Sequence, residues 1–427
     1  MDRGTGRDTE DSAADDAVRL EQLPRPRRRL HLTRSEFTRL ADGRAGPASI
    51  RGLRHAQRNR TMLVLKGLAD RDDALAASAH LLGHAHRLDP AAVDVLLDHP
   101  WLAVWAIDRV RHGTTGRPDY LPFAALAAAS LSGWSDAAVP VTPCAGLVPV
   151  PGLGVVRRPG GSTTVTPADL SGRQWTPIRW WRFTDQRVTL DLRVDDLDPY
   201  RDCFGLPVAA RLSPPRAAAL ERSVGHAWHL LVAYAPTHAA EVAAGISTFV
   251  PLADGTERGH SVTHADAFGA FAADADLDPV DLAVTMVHEL QHSKLNAVLG
   301  LVQLYEPTDP VRYFAPWRPD PRPIGGLLHG TYAFTAVAEV WAALRAHPDL
   351  AAQATARFAV VRAQLERALV ELGRAGSLTS AGRLWADRLT ERIGQLAAVP
   401  VPAAADAAAR REVAEAERTR LPTITTG

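Results

Sequence analysis

The chain has 427 residues, 46% of them hydrophobic and 22% charged, so it is long and apolar enough to bury two or three domains or one large one. The 48 Lys and Arg residues balance the 48 Asp and Glu residues, so a net positive charge does not drive binding to nucleic acid or to an anionic membrane. Cys144 and Cys203 are too few for a disulfide framework or a CxxC zinc site, and they fit a reduced, cytoplasmic setting.

A charged tail and a helical region are predicted for the first third of the chain. Residues 1–29 are poor in large apolar side chains, which predicts a disordered tail, and they lack the apolar core of a signal peptide. Residues 30–135 carry apolar groups at helical spacing, with a helix capped by Ser35 and a break between helices at Pro100. The apolar run at 123–134 is too short to span a bilayer, so no membrane partner is expected.

The rest of the chain predicts strands first and then helices. Residues 136–260 indicate a mixed α/β region, in which Val188–Val194 alternates apolar and polar side chains like a strand with one buried face. Residues 261–421 predict a helical region. Within it Asp278 followed by Pro279 indicates a helix start, and that helix should continue to about residue 304. The expected fold class is α+β, mostly helical.

The stretch VHELQHSK (287–294) is typical of a metal-binding helix. His288 and His292 are one turn apart and project from the same side, as two nitrogen ligands of one ion require. Glu289 lies about 100° round the helix, where it can reach a water or a substrate beside the ion. The flanks are apolar, and buried imidazoles and a buried carboxylate need partners, so a satisfied polar patch is the less favoured interpretation.

A metal site needs a third protein ligand, and two downstream residues are candidates. His329 lies near the start of a helix in GGLLHGTYAF, and Glu339 lies further along the same helix. Ten residues separate them, about 280° of rotation, so they face different directions and only one can join the two histidines. Glu339 would give the zinc-peptidase pattern of HExxH followed by a distant glutamate.

The segment RYFAPWRPDPRP (312–323) places arginines among aromatic residues and prolines. The prolines hold Arg312, Arg318 and Arg322 on an extended, stiff stretch. An arginine held by such a loop near a metal suits bidentate capture of a carboxylate. A protease has no need of that group, whereas a metal enzyme with an oxo-acid cosubstrate does. A surface Arg-Pro loop is the alternative interpretation.

VHELQHSKL, followed by APWRPDPRPIGGLLHGTYAF, resembles the HExxH-motif proteins of ribosomal peptide natural-product pathways. SVTHADAFGAF (261–271) and DPAAVDVLLDHPWLAVW (89–105) extend the similarity. The resemblance implies an iron(II)- and 2-oxoglutarate-dependent dioxygenase that hydroxylates a β-carbon of a precursor peptide. It also implies a radical-SAM maturase of the same pathway as a partner. Because this chain has no cysteine cluster for an iron–sulfur centre, that maturase is expected to be a separate protein.

The resemblance implies roles at the metal. His288 and His292 would bind iron, and His329, in the matching LHG segment, would be the third ligand in preference to Glu339. The distal carboxylate of 2-oxoglutarate would be held by one basic residue, in this order of preference: Arg322, Arg318 and Lys294.

The role of Glu289, the candidate catalytic carboxylate, depends on the reaction. In a hydroxylase it would orient a ligand or the substrate. In the alternative function, a zinc metallopeptidase, it would be the general base for a water on the metal. A non-catalytic peptide-binding protein is the third possibility. Four residues of the segment before the motif would line the pocket: Ser261, Thr263, His264 and Asp266.

Overall fold

The structure is a computed structural model that describes residues 32–114, 116–186, 188–254 and 260–420. These residues form α-helices and several small β-sheets, and the structure is 58% helical. The expected fold class, α+β and mostly helical, is confirmed. The predicted disordered tail lies outside the described residues. No helix in the described ranges has both the length and the apolar character needed to cross a membrane.

Within the described residues, six helices come first: α1 Arg34–Ala41, α2 Gly46–Ala69, α3 Asp73–Leu88, α4 Pro90–Leu97, α5 Pro100–His112 and α6 Leu121–Leu131. Helix α5 begins at Pro100, as predicted, because proline suits a first helical position that needs no amide donor. The prediction of Ser35 as the cap of α1 is wrong. Thr33 and Glu36 form a reciprocal capping box there, which satisfies two backbone donors at once.

The described ranges also contain ten short strands: β1 Val139–Val141, β2 Leu147–Val150, β3 Gly154–Arg157, β4 Thr163–Val165, β5 Trp175–Pro177, β6 Arg179–Asp185, β7 Val188–Val194, β8 Thr248–Pro251, β9 Ser261–Val262 and β10 Ala270–Ala273. Two 3-10 helices span Pro167–Ser171 and Pro199–Asp202. Strands β1 and β4 pair with each other, and β2, β3 and β5 form an antiparallel sheet.

The largest sheet has five strands in the order β6-β7-β8-β10-β9. Its three inner strands are parallel to one another, and each outer strand is antiparallel to its neighbour. The alternation predicted for Val188–Val194 is observed, since Leu190, Leu192 and Val194 are buried. Strands β9 and β10 lie in the region that was expected to be helical. The buried run Ala270–Ala273 is too short for a helix and carries no helical periodicity.

The part of the chain that the structure describes contains seven further helices: α7 Pro214–Tyr234, α8 Pro236–Gly245, α9 Pro279–Leu299, α10 Ile324–Leu344, α11 Ala351–Gly373, α12 Ser380–Ala397 and α13 Ala403–Arg420. Asp278 caps α9 as predicted, and its side chain accepts from the amides of Val280 and Asp281. The helix ends at Leu299 rather than near residue 304, with Gly300 as its C-cap.

Helix α9 carries the HExxH motif and is fixed along its whole length. Leu290 belongs to the core formed with the five-stranded sheet, α7 and α10, and Leu295 belongs to the core formed with α1, α2 and α12. Both leucines are completely buried, and each contributes about 2 kcal/mol of hydrophobic stabilisation. The remaining side of α9, next to β9 and α10, holds the histidines.

Candidate metal centre

A cleft of about 750 Å³ opens between β9, α9, the segment that follows α9 and the first turns of α10. Six of the eight residues predicted as metal ligands, cosubstrate anchors or catalytic group line it: His288, Glu289, His292, Arg318, Arg322 and His329. Three elements that are distant in sequence therefore meet at this cleft.

The three imidazoles lie in a row with His292 in the middle. Nε2 of His292 is 3.0 Å from Nε2 of His288, and Nδ1 of His292 is 3.3 Å from Nδ1 of His329. One ligand atom each from His288, Glu289 and His292 lie within 4.8 Å of one another, so this group could hold a metal ion. One ion binds only one nitrogen of His292, so His329 and Glu289 compete to be the third ligand.

Burial lowers the pKa of all three imidazoles. The pKa of His329 falls to about 4. Burial and the two neighbouring rings hold the pKa of His292 well below its ordinary value. Burial also lowers the pKa of His288, although the negative charge of Glu289 acts in the opposite direction. Neutral imidazoles keep a lone pair at neutral pH, which is the form that binds a metal.

Glu289 connects the sheet to α9, the helix that carries the HExxH motif. Its Oε1 accepts a hydrogen bond from Ser261 Oγ at 2.6 Å, and its Oε2 accepts one from Thr263 Oγ1 at 2.5 Å. Side chains two residues apart on extended backbone face the same way, so the hydroxyls of Ser261, in β9, and Thr263, directly after it, reach the same carboxylate. Glu289 is 1% exposed, and its Oε1 is 3.9 Å from Nε2 of His288.

Comparison with known proteins adds no relative. No protein-family model matches this chain, and no curated protein matches it. Among the described residues, His288, Glu289 and His292 are the one group of three or more such side chains close enough to hold a metal ion.

Two arginines line the cleft and share one carboxylate. Nε of Arg318 is 3.1 Å from Asp320 Oδ1, and Nη1 of Arg322 is 3.0 Å from Asp320 Oδ2. The backbone of Arg322 is fixed by two hydrogen bonds with Tyr313, of 2.8 and 2.9 Å. A Cβ at Gly326 would lie 3.0 Å from Nε of Arg322, so the glycine lets this side chain lie against α10. The backbone of Arg322 is thus held by Tyr313, and its side chain lies against the first turn of α10.

Lys294 lies away from the cleft. It is fully buried, and its ammonium is 2.7 Å from Oε2 of Glu241 and 3.0 Å from the carbonyl oxygen of Gly43. Two helical residues after His292 amount to about 200° of rotation, so Lys294 faces the opposite side of α9. The structure does not bring this predicted alternative anchor to the site.

Glu339 also lies outside the cleft. Its carboxylate pairs with Arg44 at 3.1 Å and with Arg392, and it is 2.8 Å from Nε2 of His238. The rotation of α10 between His329 and Glu339 turns this carboxylate away from the imidazoles. Glu339 therefore serves a buried ion cluster, and it is not positioned as the third ligand.

The segment before the motif divides into two pairs. Ser261 and Thr263 line the cleft, as expected. His264 and Asp266 are not among its lining residues. Asp266 is 5% exposed and pairs with Arg60 at 2.9 Å and with Arg111 at 2.8 Å, so it ties two N-terminal helices to this segment.

An aromatic wall beside the imidazoles was not predicted. Trp317 stacks on Phe334 with ring centroids 4.9 Å apart, and Phe334 meets His288 edge-on at 5.1 Å. A Cβ at Gly330 would lie 2.3 Å from the Trp317 ring, so only glycine allows this approach to α10. Gly330 inside a helical pattern was the signal that a neighbour comes close.

Proposed function

We propose that this protein is an iron(II)- and 2-oxoglutarate-dependent dioxygenase that hydroxylates a β-carbon of a ribosomally made precursor peptide. The observation that carries this proposal is one cleft lined both by the adjacent imidazoles of His288, His292 and His329 and by an arginine, Arg322. Neutral nitrogen donors and a fixed guanidinium are the two parts that such a cosubstrate enzyme needs.

The proposed ligands of a divalent iron ion are His288, His292 and His329. Glu289 is the competing third ligand, because its carboxylate lies with His288 and His292 in the group that could hold an ion. His288, His292 and His329 are held neutral by burial, and imidazole is a suitable ligand for iron. When bound, iron with 2-oxoglutarate and O2 supplies the oxidation that places one oxygen atom in a C–H bond, while the other enters succinate as CO2 leaves. The protein's part is to position the reactants and to keep water away.

Arg322 is the proposed anchor of the distal carboxylate of 2-oxoglutarate, with Arg318 as the alternative. One donor of Arg322 is committed to Asp320, and a guanidinium has further donors that can receive a carboxylate. Trp317 and Phe334 form a wall that limits the access of water to the imidazoles. A cytoplasmic reaction is part of the proposal, because a reducing compartment maintains Fe(II) and the free thiols of this chain.

A zinc peptidase is the competing function, and the hydrogen bonds of Glu289 disfavour it. A general base must be free to take a proton from water. Both oxygens of Glu289 instead accept hydrogen bonds from Ser261 and Thr263. Glu289→Gln should abolish a peptidase, whereas it should only impair a hydroxylase, since the hydroxylase does not use this group as a base.

The test is oxygen gain on a peptide. Protein purified without oxygen is given Fe(II), 2-oxoglutarate, O2 and the precursor peptide encoded beside it, with and without a radical-SAM maturase. We expect a mass gain of one oxygen and an equal amount of succinate. Arg322→Ala should lose both. Arg312→Ala should keep both, because the Arg312 guanidinium donates to backbone carbonyls of its own loop and Arg312 is not among the residues that line the cleft. A cleaved peptide, or no succinate with either peptide form, would overturn the proposal.

A further inference from the structure

Strand β9 is one edge of the five-stranded sheet, and the direction of its backbone groups can be derived from its neighbours. The carbonyl of Ala273 accepts from the amide of Leu252, on the β8 side of β10. Both backbone groups of a strand residue point to the same side, so the residues flanking Ala273 direct theirs toward β9. The amide of Asp274 indeed donates to the carbonyl of His260 at 3.2 Å.

It follows that Ser261 and Thr263 direct their backbone groups away from the sheet. Val262 pairs with Ala272, and the residues on either side of Val262 must point the other way. Within the part of the chain that the structure describes, the amide and carbonyl of Ser261 and Thr263 have no backbone partner. Ser261, Val262 and Thr263 all line the cleft, so this edge of the sheet borders it.

The opposite edge of the sheet, strand β6, is different. It presents Trp180 and Arg182, which are 58% and 64% exposed, and Arg182 pairs with Asp191. Exposed charge of this kind discourages a further strand from pairing. Strand β9 has no charged side chain, and its residues line the cleft that the three imidazoles also line.

The distance between this edge and the metal centre is fixed by Glu289. The hydroxyls of Ser261 and Thr263 both bind its carboxylate, and Glu289 is the residue after His288. A strand added at this edge would therefore lie beside the imidazoles. The side chain opposite Ser261 or Thr263 would share their face of the sheet, which is the face toward α9.

We propose that the substrate peptide binds in extended form, as an added strand whose backbone exchanges hydrogen bonds with Ser261 and Thr263. This inference deepens the proposed function and rests on it. The hydroxylated residue is then one that lies directly opposite Ser261 or Thr263, with its β-carbon toward the imidazoles. Main-chain bonds supply affinity, and every second side chain enters the cleft and supplies selectivity.

The test measures peptide binding alone, without iron or 2-oxoglutarate. Linear peptides are selected from a random displayed library on the full-length protein, and the binders are resynthesised with one backbone N-methyl group at a time. We expect Kd to rise about tenfold at alternate positions, since each N-methyl group removes one donor. Equal tolerance at all positions, or no binder at all, would overturn the proposal.

The protein side of the test uses two variants of one residue. Ser261→Ala removes only the hydroxyl, and Ser261→Pro also removes the outward amide, without touching a bond to β10. Binding should weaken about tenfold more in Ser261→Pro than in Ser261→Ala. A dimer of the wild-type chain that Ser261→Pro dissociates would mean that the edge pairs with a second copy, which also overturns the proposal.

These outcomes are separable from the proposed reaction. Alternating N-methyl sensitivity without any hydroxylation would retain the added strand and reject the dioxygenase. Hydroxylation of a peptide that tolerates N-methyl groups everywhere would retain the dioxygenase and reject the added strand. If Ser261→Pro does not fold, the N-methyl series still decides, because it leaves the protein unchanged.

Discussion

Replacing Lys294 tests whether this buried cation is structural or binds the cosubstrate. Lys294 and Glu241 are both completely buried, and their charged atoms are 2.7 Å apart. Burial by itself would lower the pKa of Lys294, but the carboxylate of Glu241 outweighs it and the pKa is raised. Lys294→Met preserves the apolar stem and leaves that carboxylate without its cation. Breaking a buried pair from one side costs about 3–5 kcal/mol, so we expect that loss in the free energy of unfolding.

The assay is urea unfolding of the wild type, Lys294→Met and the double variant Lys294→Met/Glu241→Gln. The double variant removes both charges, and its side-chain oxygen can still accept from the Gly46 amide, as Oε1 of Glu241 does at 2.7 Å. Most of the lost free energy should therefore return. The reasoning is refuted if the single variant loses less than about 1 kcal/mol, or if it weakens 2-oxoglutarate binding at unchanged stability.

Three further predictions concern packing, pH and the anchor. Gly330→Ala places a Cβ 2.3 Å from Trp317 and should lower the free energy of unfolding by about 1–3 kcal/mol in urea titration. Gly394 lies in an exposed part of α12, and a Cβ added there would have no neighbouring atom within 4 Å, so Gly394→Ala should raise the free energy of unfolding by about 0.5–1 kcal/mol. Equal effects of the two substitutions would contradict the packing argument. Burial raises the pKa of Asp198 to about 7, whereas the ordinary pKa of an aspartate, which applies in the unfolded state, is about 3.9. Between these two pH values the native state therefore keeps a proton that the unfolded state has lost. Stability should fall as pH rises between those values, and Asp198→Asn should flatten the slope; an unchanged slope would disprove this cause. Arg322→Ala should raise the Kd for 2-oxoglutarate about tenfold or more in calorimetry, and unaltered binding would move the anchor elsewhere.

Local patterns predicted the elements that local physics determines. Asp278 before Pro279 marks the start of α9, and the alternation in Val188–Val194 marks β7. The order of the five-stranded sheet could not be read in this way. Its central pairs join β7 to β8 and β8 to β10. Strands β8, β9 and β10 have only two to four residues, which is too short for a recognisable alternation of apolar and polar side chains. Pairing between distant segments depends on the whole core.

The candidate site was predictable to a similar extent. Spacing along one helix is enough to place His288 and His292 together. Bringing His329 to them requires α10 to pack on α9, which is a tertiary contact. Helix rotation alone could have removed Lys294 from the candidate anchors, because it lies about 200° from His292. The bonds from β9 to Glu289 were not foreseeable, since they depend on where the sheet ends.

The most direct test of the metal centre is metal content after loading with Fe(II) in the absence of oxygen. Iron and zinc per chain are measured after dialysis for the wild type, His329→Ala and Glu289→Gln. If His288, His292 and His329 are the ligands, an iron ion per chain should remain in the wild type and in Glu289→Gln, and His329→Ala should lose it. Iron that stays in His329→Ala and leaves Glu289→Gln would contradict this, because the ligands would then be His288, Glu289 and His292.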